Sequence, residues 1–212
     1  LTNCSLKRRS NVENVNRFEN MDNRGKILEC ALDLFYKKGY DAVGVQEIVE
    51  AAGITKPTMY YYFKSKFGLL ETLLADKCKI MNERLRKASE YQRDLIQTLE
   101  AFARELFSMA AEDSRFYYLM FSFFYSAKEN ETHHAIKPYM QELFFTVQNI
   151  FEKASNELGN MNSRQEQFAV GFIGILNSYL LVYYEREYVD GNPVNNHIIY
   201  SLVHQFMHGI YA

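Results

Sequence analysis

Apolar positions along this chain fall at helical spacing almost throughout. Ile27, Ala31, Leu34 and Phe35 recur at i, i+4, i+7 and i+8, which predicts an amphipathic helix over 24–38. Gly39 suits the residue that ends it, since glycine enters the left-handed region without a Cβ penalty. A second, shorter helix follows Gly44 and carries Val45, Ile48, Val49 and Ala52. Gly53-Ile54 makes a break, and a third helix opens near Lys56-Pro57, because proline is suited to a first helical turn. Ser65 is placed to cap a fourth helix over 65–87, striped by Leu70, Leu74, Cys78, Met81 and Leu85. Helices are also predicted near 93–111, 114–127, 137–158, 163–188 and 195–211. The breaks between them fall at Glu112-Asp113, Glu129 through His134, Gly159-Asn160 and Gly191-Asn192-Pro193. No stretch alternates apolar and polar residues as a half-buried strand would, so the expected fold class is all-α.

Two short helices joined by a tight glycine turn form a helix-turn-helix, here within residues 23–68. Residues 69–212 make a second helical domain, joined to the first by the fourth helix. Residues 1–22 read as a polar tail without periodicity; Lys7-Arg8-Arg9 lies within it and lacks the apolar run of a secretory signal.

Composition refines this picture only in places. The whole chain carries a net charge of −2. Residues 1–68 hold 11 Lys and Arg against 8 Asp and Glu, whereas the remainder holds 13 against 18. A basic front and an acidic rear point to different partners for the two parts. Three scattered cysteines (Cys4, Cys30 and Cys78) form no C-x-x-C pair, which fits a reducing, cytoplasmic setting. Residues 168–184 contain no charge, but they include Asn177 and Ser178 and sit at the short edge for a membrane span. A helix buried on most sides is the expectation, with no membrane partner. His204 and His208 are i, i+4 on the last helix, a metal-compatible spacing, yet no third ligand stands nearby and no metal or cofactor is expected. Nothing resembles a catalytic triad, a phosphate-cradling loop or a catalytic carboxylate cluster, so the chain is not expected to be an enzyme.

The chemistry concentrates in Thr55-Lys56-Pro57-Thr58-Met59-Tyr60-Tyr61-Tyr62-Phe63-Lys64-Ser65-Lys66. Tyr hydroxyls and Lys ammoniums donate to phosphate oxygens, and ring bodies pack on sugars and thymine methyls. A buried helix would not carry so many polar tips, nor a solvated one so many rings. Met59 and Phe63, four apart, face inward.

From Arg24 to Leu74 the chain resembles the DNA-binding domain of TetR-type transcriptional regulators. The matching text runs Ile27-Leu28, Ala31-Leu32-Asp33-Leu34-Phe35, Lys38-Gly39-Tyr40-Asp41-Ala42 and Val45-Gln46-Glu47-Ile48. It continues as Ala51-Ala52-Gly53-Ile54-Thr55-Lys56-Pro57-Thr58-Met59-Tyr60 and Tyr62-Phe63-Lys64-Ser65-Lys66, with Leu69-Leu70. Two positions depart from the pattern: Gly44, where a Ser or Thr cap is usual, and Phe67-Gly68, where acidic residues are common. The resemblance implies a helical homodimer on double-stranded operator DNA, with a small molecule in the C-terminal domain resetting the spacing of two DNA-reading heads. It places Gln46, Lys56, Pro57, Thr58, Tyr60, Tyr61, Tyr62 and Lys66 on DNA. Their chemistry agrees: Gln46 can pair with adenine, Lys56 with guanine O6/N7 and Pro57 with a thymine methyl, while Thr58, Tyr60 and Lys66 suit phosphates. Among the tyrosines, Tyr62 stands open between DNA and the core.

The rear of the chain carries no signature of its own. Residues 115–126 put rings on nearly every helical face, and a cavity lined by them is the sharper alternative to plain core. Phe102, Phe121, Phe124, Phe144, Phe172 and Tyr179 are the expected walls, with Arg115 and Asn177 as polar anchors, for a small apolar or aromatic effector. Gly171, Gly174, Leu180 and Tyr183 are the expected dimer contacts. The function expected is a ligand-responsive regulator, a repressor released from a palindromic operator. Its rival is a structural DNA-associated protein of the same fold without an effector.

Overall fold

The structure is a computed structural model, and it describes residues 21–158, 161, 163–187 and 196–209, without the side chains of 183–187. The polar tail and the breaks at Gly159-Asn160 and Gly191-Asn192-Pro193 lie outside the described residues. Among the described residues there are nine helices and no strand. They are α1 (Asn23–Lys38), α2 (Val45–Ala52), α3 (Lys56–Phe63), α4 (Lys66–Ala88), α5 (Leu95–Glu112), α6 (Ser114–Phe124), α7 (Glu131–Ala154), α8 (Gln165–Glu187) and α9 (Asn196–His208). The chain divides into two compact units between Leu73 and Leu74.

In the first unit, α1 starts where Asp22 Oδ1 accepts the Gly25 amide at 2.7 Å and ends at Gly39, whose φ is 80°. Ile27, Ala31, Leu32 and Phe35 from α1 are buried, as are Ile48 from α2, Met59 from α3 and Leu69, Leu70 and Leu73 from α4. This core holds the two short helices, neither of which is long enough to persist alone in water.

The second unit is organised on α5, which packs against α6, α7, α8 and α9. Its Leu99, Phe102, Leu106 and Phe107 are fully buried, and Phe206 of α9 packs against Phe172 of α8 with ring centroids 5.1 Å apart. Helix α7 begins at Glu131, earlier than the predicted 137, and carries Pro138 in its interior. Thr132 and Ile136, both buried, anchor the added turn. The uncharged 168–184 segment differs from expectation too. Phe172, Ile173, Leu176, Asn177 and Leu180 are buried, but Val170, Gly171, Gly174, Ser178, Leu181 and Val182 face outward. One face of this segment is therefore an uncharged outer surface, and the helix is not enclosed on most sides. No helix among the described residues is long and apolar enough to cross a membrane.

Candidate nucleic-acid interface and effector cavity

The α2–α3 turn is set by its sequence. Gly53 adopts φ 65°, ψ 34°, the left-handed conformation that glycine reaches without strain. Its amide bonds to the Glu50 carbonyl at 3.2 Å, and the Ile54 amide bonds to that of Val49 at 3.0 Å. Thr55 then caps α3: its Oγ1 accepts the Thr58 amide at 3.4 Å and shares a hydrogen bond with Thr58 Oγ1 at 2.9 Å. Pro57 lies in the first turn. Met59 and Phe63 point into the core, so the rest of this two-turn helix faces outward.

Gln46, Lys56, Pro57, Tyr60, Tyr61 and Tyr62 are all exposed, and Thr58 is half-buried. Tyr61 is 82% exposed, an arrangement that costs hydrophobic free energy unless something covers the ring. Tyr62 is 40% exposed and sits edge-on to Tyr61 at 5.3 Å, which removes it from the core. Gln46 Nε2 donates to Glu50 Oε1 at 2.5 Å, a contact it must exchange to read a base. Lys66 differs from the others. Its ammonium donates to the carbonyls of Tyr40 and Val43, each at 3.1 Å, and so ties α4 to the loop after α1. Two of its three donors are thus engaged inside the unit, which leaves one for the phosphate role expected of it.

In the second unit a cavity of about 180 Å³ opens among α4, α5 and α6. Ile80, Met81, Leu106, Met109, Phe116 and Tyr117 supply its apolar lining; Lys77, Arg84, Glu112 and Asp113 supply charge. Arg84 forks onto Glu112, Nη1 to Oε2 at 2.6 Å and Nη2 to Oε1 at 2.8 Å, and its Nε bonds to Glu105. The hydrogen bonds from Arg84 hold the Glu112 carboxyl below its ordinary range. Lys77 Nζ pairs with Asp113 Oδ2 at 2.7 Å, while Asp113 Oδ1 caps α6 through the Phe116 amide at 3.3 Å. At the inner wall Tyr117 donates to Asn177 Oδ1 at 2.7 Å, both side chains being buried. Burial pushes the Tyr117 phenol well above its usual range.

None of the eight expected effector residues lines this cavity. Phe102 and Phe172 are fully buried and tilted together at 6.2 Å, so both are packing residues. Tyr179 stacks on Phe107 at 5.9 Å, and Phe121 packs on Tyr117 at 5.0 Å. Phe124 lies against His133 and Phe144, at 6.0 and 6.4 Å. Arg115 Nε sits 3.7 Å from Asp113 Oδ1. Asn177 comes nearest in role, because it holds Tyr117, which does line the cavity. A signal for the lining of this cavity was present in the sequence. Lys77, Ile80, Met81 and Arg84 fall at i, i+3, i+4 and i+7, a second face of α4 beside its core stripe.

Of the expected dimer contacts, Gly171 and Gly174 are exposed, whereas Leu180 is 2% exposed and belongs to the subunit's own core. The Tyr183 side chain lies outside the described residues.

These features define a protein with a helix-turn-helix unit and a second, helical unit. The family model for bacterial regulatory proteins of the tetR family matches residues 27–73. The transcriptional activator FasR of Mycolicibacterium smegmatis is 29% identical over 160 residues, covering 76% of this chain and 71% of that protein. FadR from Bacillus subtilis, solved in complex with stearoyl-CoA, superposes with a TM-score of 0.72 at 18% identity, over 87% of this chain and 98% of that one. AibR, solved with isovaleryl coenzyme A and operator DNA, superposes with a TM-score of 0.66 at 20% identity, over 85% and 95%. Residues 27–73 are thus a DNA-binding domain of the tetR type, and over most of its length the chain is similar to DNA-binding transcriptional regulators.

Proposed function

We propose that this regulator represses transcription from a palindromic operator. It leaves that operator when a small molecule with a short apolar body and an anionic head, the chemistry of an acyl chain carried on the phosphate-bearing coenzyme A, enters the α4–α5–α6 cavity. The single observation that carries this is the cavity's lining, apolar in its walls and bearing Lys77 and Arg84. Lys77 and Arg84 are ion-paired with Asp113, Glu112 and Glu105, so they would take phosphate or carboxylate oxygens by exchanging those carboxylates for the ligand's. At about 180 Å³ the cavity is smaller than the ~300–1,000 Å³ of pockets that enclose drug-sized ligands, so it favours a short or branched acyl group. The coenzyme A ligands of FadR and AibR support the same class.

The exposed side chains of α2 and α3 would read the major groove, Gln46 and Lys56 at bases and Thr58, Tyr60 and Tyr61 at the backbone, with Pro57 against a thymine methyl. Two copies would pair through the outer faces of α8 and α9. Neither Phe168–Tyr184 nor Asn196–His208 contains a Lys, Arg, Asp or Glu, although Val170, Val182 and Tyr200 are more than half exposed. A solvated helix face without charge is covered in the working protein. Such a regulator acts in the cytoplasm, with no membrane partner and no catalytic step.

Effector binding weakens the operator complex by shifting the population toward a conformer with badly spaced heads. Fluorescence anisotropy on a selected operator, titrated with short- and long-chain acyl-CoAs, tests this. A loss of ~5–150-fold in affinity is expected with the short chains. A gain in affinity would make the protein an activator, a second reading favoured by its likeness to FasR. No response to any acyl-CoA or apolar compound would leave a structural DNA-associated protein.

A further inference from the structure

The last helix carries two imidazoles that the regulator's function does not use. His204 and His208 are both exposed, and their ring centroids lie 4.5 Å apart. Tyr200, one turn earlier, is 54% exposed and flanks His204 at 5.6 Å. No carboxylate or ammonium interrupts this strip, because α9 contains none. Nitrogens bound to a tetrahedral zinc ion at ~2.0–2.1 Å stand ~3.3–3.4 Å apart, and ring centroids 4.5 Å apart on one helix face bring both imidazoles within reach of one ion. The described residues of one chain supply no group of three metal-ligating side chains, so a single copy offers half a site.

The geometry points to a four-imidazole site for a borderline divalent ion such as Zn(II), made by His204 and His208 of one copy and the same pair of a second. This rests on the dimer surface proposed above. A two-fold interface repeats one surface on both subunits, so a two-ligand face on it is met by its own image when it lies near the axis. Four neutral imidazoles suit Zn(II), Ni(II) or Cu(II) and exclude Mg(II) and Ca(II), which require oxygen ligands. Closure by four protein ligands gives a structural ion with no open position for a substrate. The ion would fasten the dimer and hold the two DNA heads at one spacing, apart from any effector.

The test uses the full chain, stripped with a chelator and dialysed against Zn(II) or Mg(II). Elemental analysis is expected to find one zinc per two chains and no retained magnesium. With zinc at about ten times its dissociation constant, sedimentation should show the dimer tightened about tenfold. His204→Ala and His208→Ala should each abolish both effects while remaining folded and, at high concentration, dimeric without zinc. A zinc-free dimer that takes up no zinc would overturn the site and leave the dimer surface standing. Zinc retained equally by both variants, or one zinc per chain with an unchanged dimer constant, would overturn the shared ligation. A chain monomeric with and without zinc would remove the dimer surface and the site with it.

Discussion

The ammonium of Lys66 lies 4.1 Å from the centroid of the Tyr40 ring, while donating to the Tyr40 and Val43 carbonyls. A cation so placed closes the first unit. Lys66→Ala should therefore destabilise the protein by about 1–3 kcal/mol, because two carbonyls lose a charged donor. Thermal unfolding measures this. The salt dependence of DNA binding should be unchanged once the unfolded fraction is allowed for. A slope lowered by ~1 per subunit would show that the remaining Lys66 donor reaches a phosphate.

Lys56 and Gln46 are expected to behave otherwise. Lys56→Ala and Gln46→Ala should each cost ~1–3 kcal/mol on the preferred operator and relax base preference at one position per half-site. Binding to a panel of single-base operator variants reads this directly. Equal loss on specific and random duplexes would show that neither residue reads a base.

The outer face of α8 offers a clean test of pairing. A Cβ at Gly174 meets nothing within 4 Å, so Gly174→Arg leaves the subunit's packing intact. In a dimer through this face it buries an unpaired charge, at a cost of several kcal/mol per ion. Sedimentation should show a folded monomer with little operator affinity. Leu180→Asp is unsuitable, since Leu180 is internal and the variant would unfold. An unchanged dimer of Gly174→Arg would move the interface elsewhere.

Tyr117 couples the cavity wall to the core, and its ionisation is opposed by burial. A folded pKa raised above the unfolded value of ~10 means full stability below pH 10 and a loss as the pH climbs beyond it. Tyr117→Phe should flatten that alkaline decline. At neutral pH it should cost ~1–3 kcal/mol, because Asn177 Oδ1 loses its donor in a buried setting. Urea midpoints at neutral and alkaline pH separate the two effects. A parallel decline in both proteins would assign the alkaline loss to other groups.

The front unit was legible because its signals are local. Gly39 and Gly53 mark chain reversals with positive φ, Pro57 marks a helix start, and the four-residue spacing of Met59 and Phe63 gives the inward face. The cavity was not legible for the opposite reason. It depends on how three helices distant in sequence leave space, and large rings such as Phe102 and Phe172 fill their own volume instead of lining a void. The start of α7 was lost because the polar run Glu129 through His134 reads as a break, whereas buried Thr132 and Ile136 carry the helix through from Glu131. The fate of Lys66 rests on backbone carbonyls more than twenty residues away, which side-chain pattern does not encode.

Gly68 sits where a Cβ would fall 2.2 Å from the Phe63 carbonyl oxygen, and Lys64, between them, holds φ at 63°. The bend from α3 into α4 is thus drawn tight, and it is tight because position 68 has no side chain. Any side chain at 68 would have to push the Phe63 carbonyl aside, so the direction in which α4 leaves α3 is fixed by an atom that position 68 lacks.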